Sequence, residues 1–111
     1  MKPGEFSIHA HGEDDRKTVV LTGDLDIASA SILQGTVAEL CSEGARELVL
    51  DLSRLGFIDS TGLHAVLTCC SVCHEHRCEL SMIPGPREVQ RVFELTHLVE
   101  RLPFRESGVA R

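Results

Sequence analysis

One stretch, Glu47 to Leu67 (ELVLDLSRLGFIDSTGLHAVL), limits what this chain can become. It opens with Leu48-Val49-Leu50, a short apolar run of strand type, and turns polar at Asp51 and Ser53. A short loop is expected next, before Phe57-Ile58 lead into Asp59-Ser60-Thr61-Gly62. The apolar period then changes, with Leu63, Val66, Leu67 and Cys70 recurring at helical spacing. The order is strand, loop, helix, and Asp59 and Ser60 are both residue types that cap a helix start. Unpaired amides and partial positive charge gather at such a start, so it accepts an anion. Ser60 is therefore a hydroxyl that could carry a phosphate at a place suited to one.

The flanking segments alternate in the same way. Phe6 to Ala10 reads as a half-exposed strand, 12–16 as a polar turn, and Thr18 to Leu21 as a second, β-branched strand. The two pair as an antiparallel hairpin at a sheet edge, ended by Gly23 and Asp24. Ser29 then caps a helix with Ile32, Leu33, Thr36, Val37, Leu40 and Cys41 on one face. Gly44 sits where a left-handed residue would stop it. Cys78 to Ile83 is a further strand, and Pro86 suits the first turn of a third helix with Val89, Val92, Phe93 and Leu95 inward. Leu98 to Phe104 holds a short last strand, kept to an edge by Pro103, and 105–111 is a loose tail. This pattern predicts a single α/β domain across 1–111, with its core at 6–104. Its sheet is mixed and mostly parallel, of about five strands, with helices packed against it.

Composition excludes several function classes. Among 111 residues there is room for one domain, and the net charge of -6 argues against nucleic acid as a partner. No apolar run reaches the roughly 20 residues of a membrane span, so no membrane insertion is expected. The start, MKPGEFSIHAHGEDD, has no apolar core of a secretory signal. Five cysteines without such a signal fit reduced thiols in a cytoplasmic protein. Catalytic motifs are missing too. No Gly-x-Ser-x-Gly elbow surrounds Ser60, and no Gly-x-x-x-x-Gly-Lys loop could hold nucleotide phosphates. His64 lies on the same helical face as Ser60, but Asp59 is on the wrong side to orient it as a triad would require. The chain is expected to be no enzyme and to need no cofactor.

Other polar residues carry two readings each. Asp24 and Asp26 follow a strand, where Gly-Asp chemistry makes a turn, and they lack the later Gly and bidentate Glu of a calcium loop. Cys70, Cys73, His74 and Cys78 have spacing that could ligate zinc. The favoured reading is that Cys70 and Cys73 are small core residues and His74 is solvated, with no metal bound. His64 reads as an exposed residue. A protonated imidazole there would also lean back toward the helix start and meet a phosphate on Ser60.

Three motifs resemble one family. Phe57-Ile58-Asp59-Ser60-Thr61-Gly62-Leu63 after an apolar strand is similar to the signature of STAS domains, specifically the bacterial anti-sigma factor antagonists. Leu21-Thr22-Gly23-Asp24-Leu25-Asp26 resembles that family's Gly-x-Leu-Asp turn, and Arg91 to Leu98 its third helix and exit. The three stand in family order and cover about residues 6 to 104. The resemblance implies a small α/β sandwich with the Asp59-Ser60 loop exposed at one end of the sheet. It implies that Ser60 is the phosphorylated residue, with Thr61 the runner-up. Asp59 would help present the serine, and the Asp24–Asp26 turn would lie beside it in the partner surface. That surface would comprise Asp24, Asp26, Asp59, Ser60, Thr61, Gly62 and His64. The implied partners are an anti-sigma factor that is also an ATP-using serine kinase, and a phosphatase acting on phospho-Ser60. The unmodified form would bind the anti-sigma factor and free a sigma factor. A STAS subunit docking on a membrane transporter or its ATPase, or a STAS sensor scaffold, is the alternative. His64 and His97 depart from the family, which commonly has Gly at both places.

Overall fold

A computed structural model describes residues 5–105. Four strands and three helices alternate: β1 (Ser7–Glu13), β2 (Arg16–Leu25), α1 (Ala30–Ser42), β3 (Glu47–Ile58), α2 (Ser60–Glu75), β4 (Glu79–Ile83) and α3 (Arg87–Leu95). The sheet order is β1-β2-β3-β4, with β1 antiparallel to β2 and the remaining pairs parallel. The hairpin is tighter than expected. Residues 12 and 13 stay in β1, and only Asp14 and Asp15 turn the chain, with Asp14 at φ 55°. The expected fifth strand shrinks to a single parallel bridge between Met82 and Phe104. The Met82 amide donates to the Pro103 carbonyl and Arg105 donates back to Met82. Pro103 has no amide to extend that ladder. The tail expected from 105 onward lies, after Arg105, outside the described residues.

β3 departs most from expectation, because it does not end at Ser53 but runs on to Ile58. Its pairing with β2 shifts register twice, between Val20 and Thr22 and between Gly23 and Asp24. Each shift adds one residue to β3, so it uses twelve residues against ten in β2. The buried residues record this directly. Leu48, Leu50 and Leu52 recur every second residue, whereas Leu55 and Ile58 follow at intervals of three. A bulge keeps the buried set on the core face while breaking the two-residue period that marks a strand in sequence.

The core lies between one face of the sheet and the helices. Val19 and Leu21 of β2, Leu48, Leu50 and Leu52 of β3, and Met82 of β4 are all within 1% of complete burial. Their neighbours Thr18, Val20, Val49 and Asp51, on the opposite face, are half-buried. α1 contributes Ala30, Leu33, Val37 and Cys41. Ile32, expected inward, is 48% exposed. It lies one residue out of phase with Leu33 and Val37, on the flank of the helix. In α2 the buried stripe runs through Gly62, Leu63, Ala65, Val66, Cys69 and Cys73, which puts Cys69 inside and leaves Cys70 half-buried. α3 buries Val89 and Phe93, and Phe93 meets Phe104 edge to face at 5.0 Å. Leu95 is 70% exposed, two residues past Phe93 and across the helix from it. His97 takes the left-handed conformation at φ 61° that ends α3, a place where a glycine is easiest and histidine is tolerated.

α2 is seated by a glycine. A Cβ on Gly62 would overlap the Leu25 carbonyl and lie 3.0 Å from the Ile58 side chain. The absent side chain lets the first turn of α2 press against the end of β2. Gly35, on the exposed side of α1, has nothing within 4 Å of its would-be Cβ. Alanine substitution should therefore have opposite signs at the two glycines. Gly62→Ala should destabilise by about 1–3 kcal/mol through overpacking, and Gly35→Ala should stabilise by up to about 1 kcal/mol through helix propensity. Paired urea melts measure both.

The buried thiols supply a second test. Burial pushes the Cys69 thiol from its ordinary 9.0 up to about 12, with Cys70 and Cys41 adding to the effect. A group raised on folding contributes stability that is fully present below its unfolded pKa and is lost as pH rises toward the folded one. Stability should hold steady up to about pH 9 and fall from there toward 12. Replacing Cys69 by Ala should flatten that fall, as followed by denaturant midpoints across the range.

Candidate functional site

Two loops meet at the carboxyl ends of the parallel strands, where open α/β sheets place functional residues. One leaves β2 through residues 24–29 and the other leaves β3 through 56–62. The Asp59 amide donates to the Leu25 carbonyl at 3.3 Å, and that same carbonyl packs against Gly62. The β2 exit and the α2 start are thus joined through one backbone oxygen.

Asp59, not Ser60, caps α2. Asp59 has extended backbone at φ -116°, ψ -172°, and its carboxylate accepts from the Gly62 amide at 2.9 Å. Its carbonyl accepts from the Leu63 amide at 2.8 Å. Of the four first-turn amides that a helix leaves without internal partners, those of Ser60 and Thr61 remain at the helix mouth. Ser60 is the first helical residue, is exposed, and its hydroxyl makes no hydrogen bond to any described residue. Thr61 is half-buried. His64, exposed and one turn further on, has no hydrogen bond to Ser60 or Asp59 among the described residues. The Asp59 carboxylate is committed to its capping bond, and the three residues do not form a proton relay.

The β2 exit is built on Ser29, which sequence reasoning read only as the cap of α1. Ser29 occupies that cap position but makes no side-chain capping bond. It is 2% exposed, the only buried polar residue among those described. Its hydroxyl donates to the Asp24 carbonyl at 2.8 Å and accepts from the Asp26 amide at 2.9 Å. Asp26 in turn accepts from the Ala28 amide at 2.9 Å, an Asx turn. Ser29 therefore ties the loop back on itself, its buried hydroxyl partnering two part-buried backbone groups instead of the helix start. Asp24 pairs with Phe57 across the second bulge, and its carboxylate lies 3.9 Å from where a Gly56 Cβ would stand. Gly23 makes that bulge with φ 95°, in a place where a Cβ would overlap the Glu5 carbonyl.

Seen from outside, this end carries Ser60 and His64, the half-buried carboxylates of Asp24, Asp26 and Asp59, and two exposed apolar residues. Ile27 is 79% and Phe57 48% exposed. Sequence reading missed Ile27 as a surface residue. Its signal is an isoleucine between turn residues, out of phase with the helix that follows. Of the thiol candidates, Cys73 and Cys78 come together with Cys41 from α1, whereas Cys70 is half-buried and His74 exposed.

The comparisons with known proteins agree with this geometry. Residues 8–103 match the family model described as "Mlab, STAS domain". A putative anti-sigma factor antagonist, BtrV of Bordetella bronchiseptica, is 32% identical over 90 residues, covering 81% of this chain and 78% of the relative. The crystal structure of an anti-sigma factor antagonist from Mycobacterium paratuberculosis superimposes with a TM-score of 0.79 at 19% identity, over 96% of this chain and 91% of that one. The unphosphorylated form of the anti-sigma factor antagonist SpoIIAA superimposes at 0.72 with 20% identity, covering 89% and 88%. Together with the motifs at Gly23–Asp26 and Asp59–Gly62, these matches establish that the chain belongs to the STAS domain family, among relatives named as anti-sigma factor antagonists.

Proposed function

We propose that this protein is a phosphorylation-controlled antagonist of an anti-sigma factor. In its unmodified form it docks on an anti-sigma factor that is also a serine kinase, and so frees a sigma factor for transcription. The kinase then transfers the γ-phosphoryl of ATP to the Ser60 oxygen, the chain dissociates, and a phosphatase restores the hydroxyl. The observation that carries this reading is the free Ser60 hydroxyl. The plain role for a serine at a helix start is capping, and Asp59 already fills it. What supports phosphoryl control is the placement of that hydroxyl among amides that favour an anion and beside apolar residues suited to an interface.

The surface is Asp24, Asp26, Asp59, Ser60, Thr61, Gly62 and His64, extended by Ile27 and Phe57. Exposed isoleucine and phenylalanine next to a modifiable hydroxyl give a partner something to bury. A phosphate brings about -1.5 to -2 charges into that patch. Enclosed against apolar surface and three carboxylates, it costs several kcal/mol of binding. At 1.4 kcal/mol per decade, this means about a hundredfold loss of affinity or more.

Three measurements test the reading. With kinase and ATP, intact mass should rise by about 80 Da, the mass of one phosphoryl group. The gain should vanish in Ser60→Ala and persist in Thr61→Ala; persistence in Ser60→Ala overturns the assignment. Calorimetry against the anti-sigma factor should show Ser60→Glu weakened by about a hundredfold. Ile27→Asp should lose at least about tenfold in affinity with an unchanged melting temperature, because Ile27 is already in water. Tight binding to a transporter ATPase without any mass gain would instead favour the transporter-docking class.

A further inference from the structure

The other end of α2 holds a feature that the switch does not use. Cys41 from the last turn of α1, Cys73 near the end of α2 and Cys78 just before β4 are all buried, and their three sulfurs lie within 4.8 Å of one another. The Cys41 and Cys73 sulfurs are 3.9 Å apart. From these positions we propose that Cys41, Cys73 and Cys78 form a three-sulfur site for one soft d10 metal ion, Zn(II) or Cu(I).

The geometry fits such an ion: three thiolates would complete a trigonal Cu(I) centre, and Zn(II) would take a water as its fourth ligand. With metal–sulfur bonds of about 2.3 Å, three sulfurs around one centre stand about 3.8–4.0 Å apart. One pair already has that spacing, and the others need less than about 1 Å of rotamer adjustment. The sulfurs come from anchored backbone. The Cys78 amide donates to the Cys73 carbonyl at 2.8 Å and Gly44 donates to the Cys41 carbonyl at 3.1 Å, so both helix exits are closed turns. A disulfide needs sulfurs about 2.05 Å apart, and the Cys41–Cys73 pair stands at 3.9 Å. Soft thiolate sets select Zn(II) and Cu(I) over hard ions.

Electrostatics favours a cation over bare thiolates. The carbonyl ends of α1 and α2 carry partial negative charge. Burial pushes the Cys78 thiol up to about 11, with the neighbouring Cys41 contributing, and it pushes Cys73 up as well. On binding, each ligating sulfur releases its proton to water as its bond to the ion forms, and no electron is transferred. Cys41 and Cys78 are each 5% exposed, against 1% for Cys73, so the cluster is buried on the Cys73 side and nearest the surface at the other two. Cys73 lies thirteen residues beyond Ser60, about 20 Å along the helix at 1.5 Å per residue. The bound ion would clamp α1, α2 and the start of β4 at the end opposite the switch.

The test uses the full chain, reduced and oxygen-free, with Zn(II) in one arm and Cu(I) held by a competing chelator in the other. Native mass spectrometry should show one ion per chain with matching proton loss, and the arm that retains its ion identifies the metal. At hundredfold excess over Kd the ion should raise Tm by about 5 °C or more. Cys41→Ser, Cys73→Ser and Cys78→Ser should each abolish retention, and Cys70→Ser should retain it. Should a serine variant fail to fold, the wild type decides: alkylation of Cys41, Cys73 and Cys78 through local opening should be slower with the ion than after chelation, while that of Cys70 is unchanged, and equal rates overturn the proposal. Three other results overturn it. They are no ion retained by the wild type, retention lost in Cys70→Ser or His74→Ala, and a disulfide between any of the three in place of the ion.

Discussion

The contact between the Leu25 carbonyl and the first turn of α2 holds the functional end together. That oxygen accepts from the Asp59 amide and fills the space a Gly62 side chain would need. One atom therefore sets both the height of α2 on the sheet and the direction from which the chain enters it. The contact depends on β2 and β3 ending level, and they do so only because β3 absorbs two extra residues in its bulges. Without the second shift, Leu25 would not face Ile58, and the loop that carries Asp24 would not reach the one that carries Ser60. A bulge next to a functional loop works here as an aiming device.

Capping follows from that arrangement. A helix start has amides to satisfy, and one side chain usually takes the task. Here Asp59 takes it, held extended by its bond to Leu25, and Ser60 falls inside the helix as its first residue. Had the helix begun one residue later, Ser60 would have been the cap and its oxygen occupied by an amide. The one-residue difference decides whether that hydroxyl is a structural acceptor or is left without a partner among the described residues. Ser29 is the mirror case. It stands at a formal cap position, yet its hydroxyl is turned to the Asp24 carbonyl and the Asp26 amide, and it is buried.

Much of this was legible in the sequence, and the failures have physical causes. The order of elements and the antiparallel first pair follow from apolar periodicity and from residues that break it, such as Gly44 at φ 101°, whereas the exposure of Ser60 was implied by the family resemblance. The second half of β3 was not legible, because bulges replace a two-residue period with intervals of three. The inward face of α2 was misphased by one residue at Cys69 and Cys70, since adjacent cysteines look alike to a hydropathy count. Ser29 was assigned the right position and the wrong partners, because capping is local while its real partners are fixed by how β2 exits. Cys41 could not be joined to Cys73 and Cys78, because convergence across α1 and α2 has no signal at any sequence spacing.

A phosphate on Ser60, as proposed, need not refold the protein. It would sit at the positive end of α2, beside amides that have no internal helical partner, a placement that contributes about 0.3–1 kcal/mol at an exposed site. The half-buried Asp24, Asp26 and Asp59 oppose it, but like charges that still face water interact weakly and are screened over about 8–10 Å. In the free chain the two effects are of similar size, and the fold has little reason to change. If, as proposed, a partner covered Ile27 and Phe57 and excluded water, the carboxylates would lose their screening and the phosphate its hydration. The same charge would then weigh far more in the complex than in the free protein. The difference between those two environments, rather than any rearrangement of the sheet, is what would make one hydroxyl a switch.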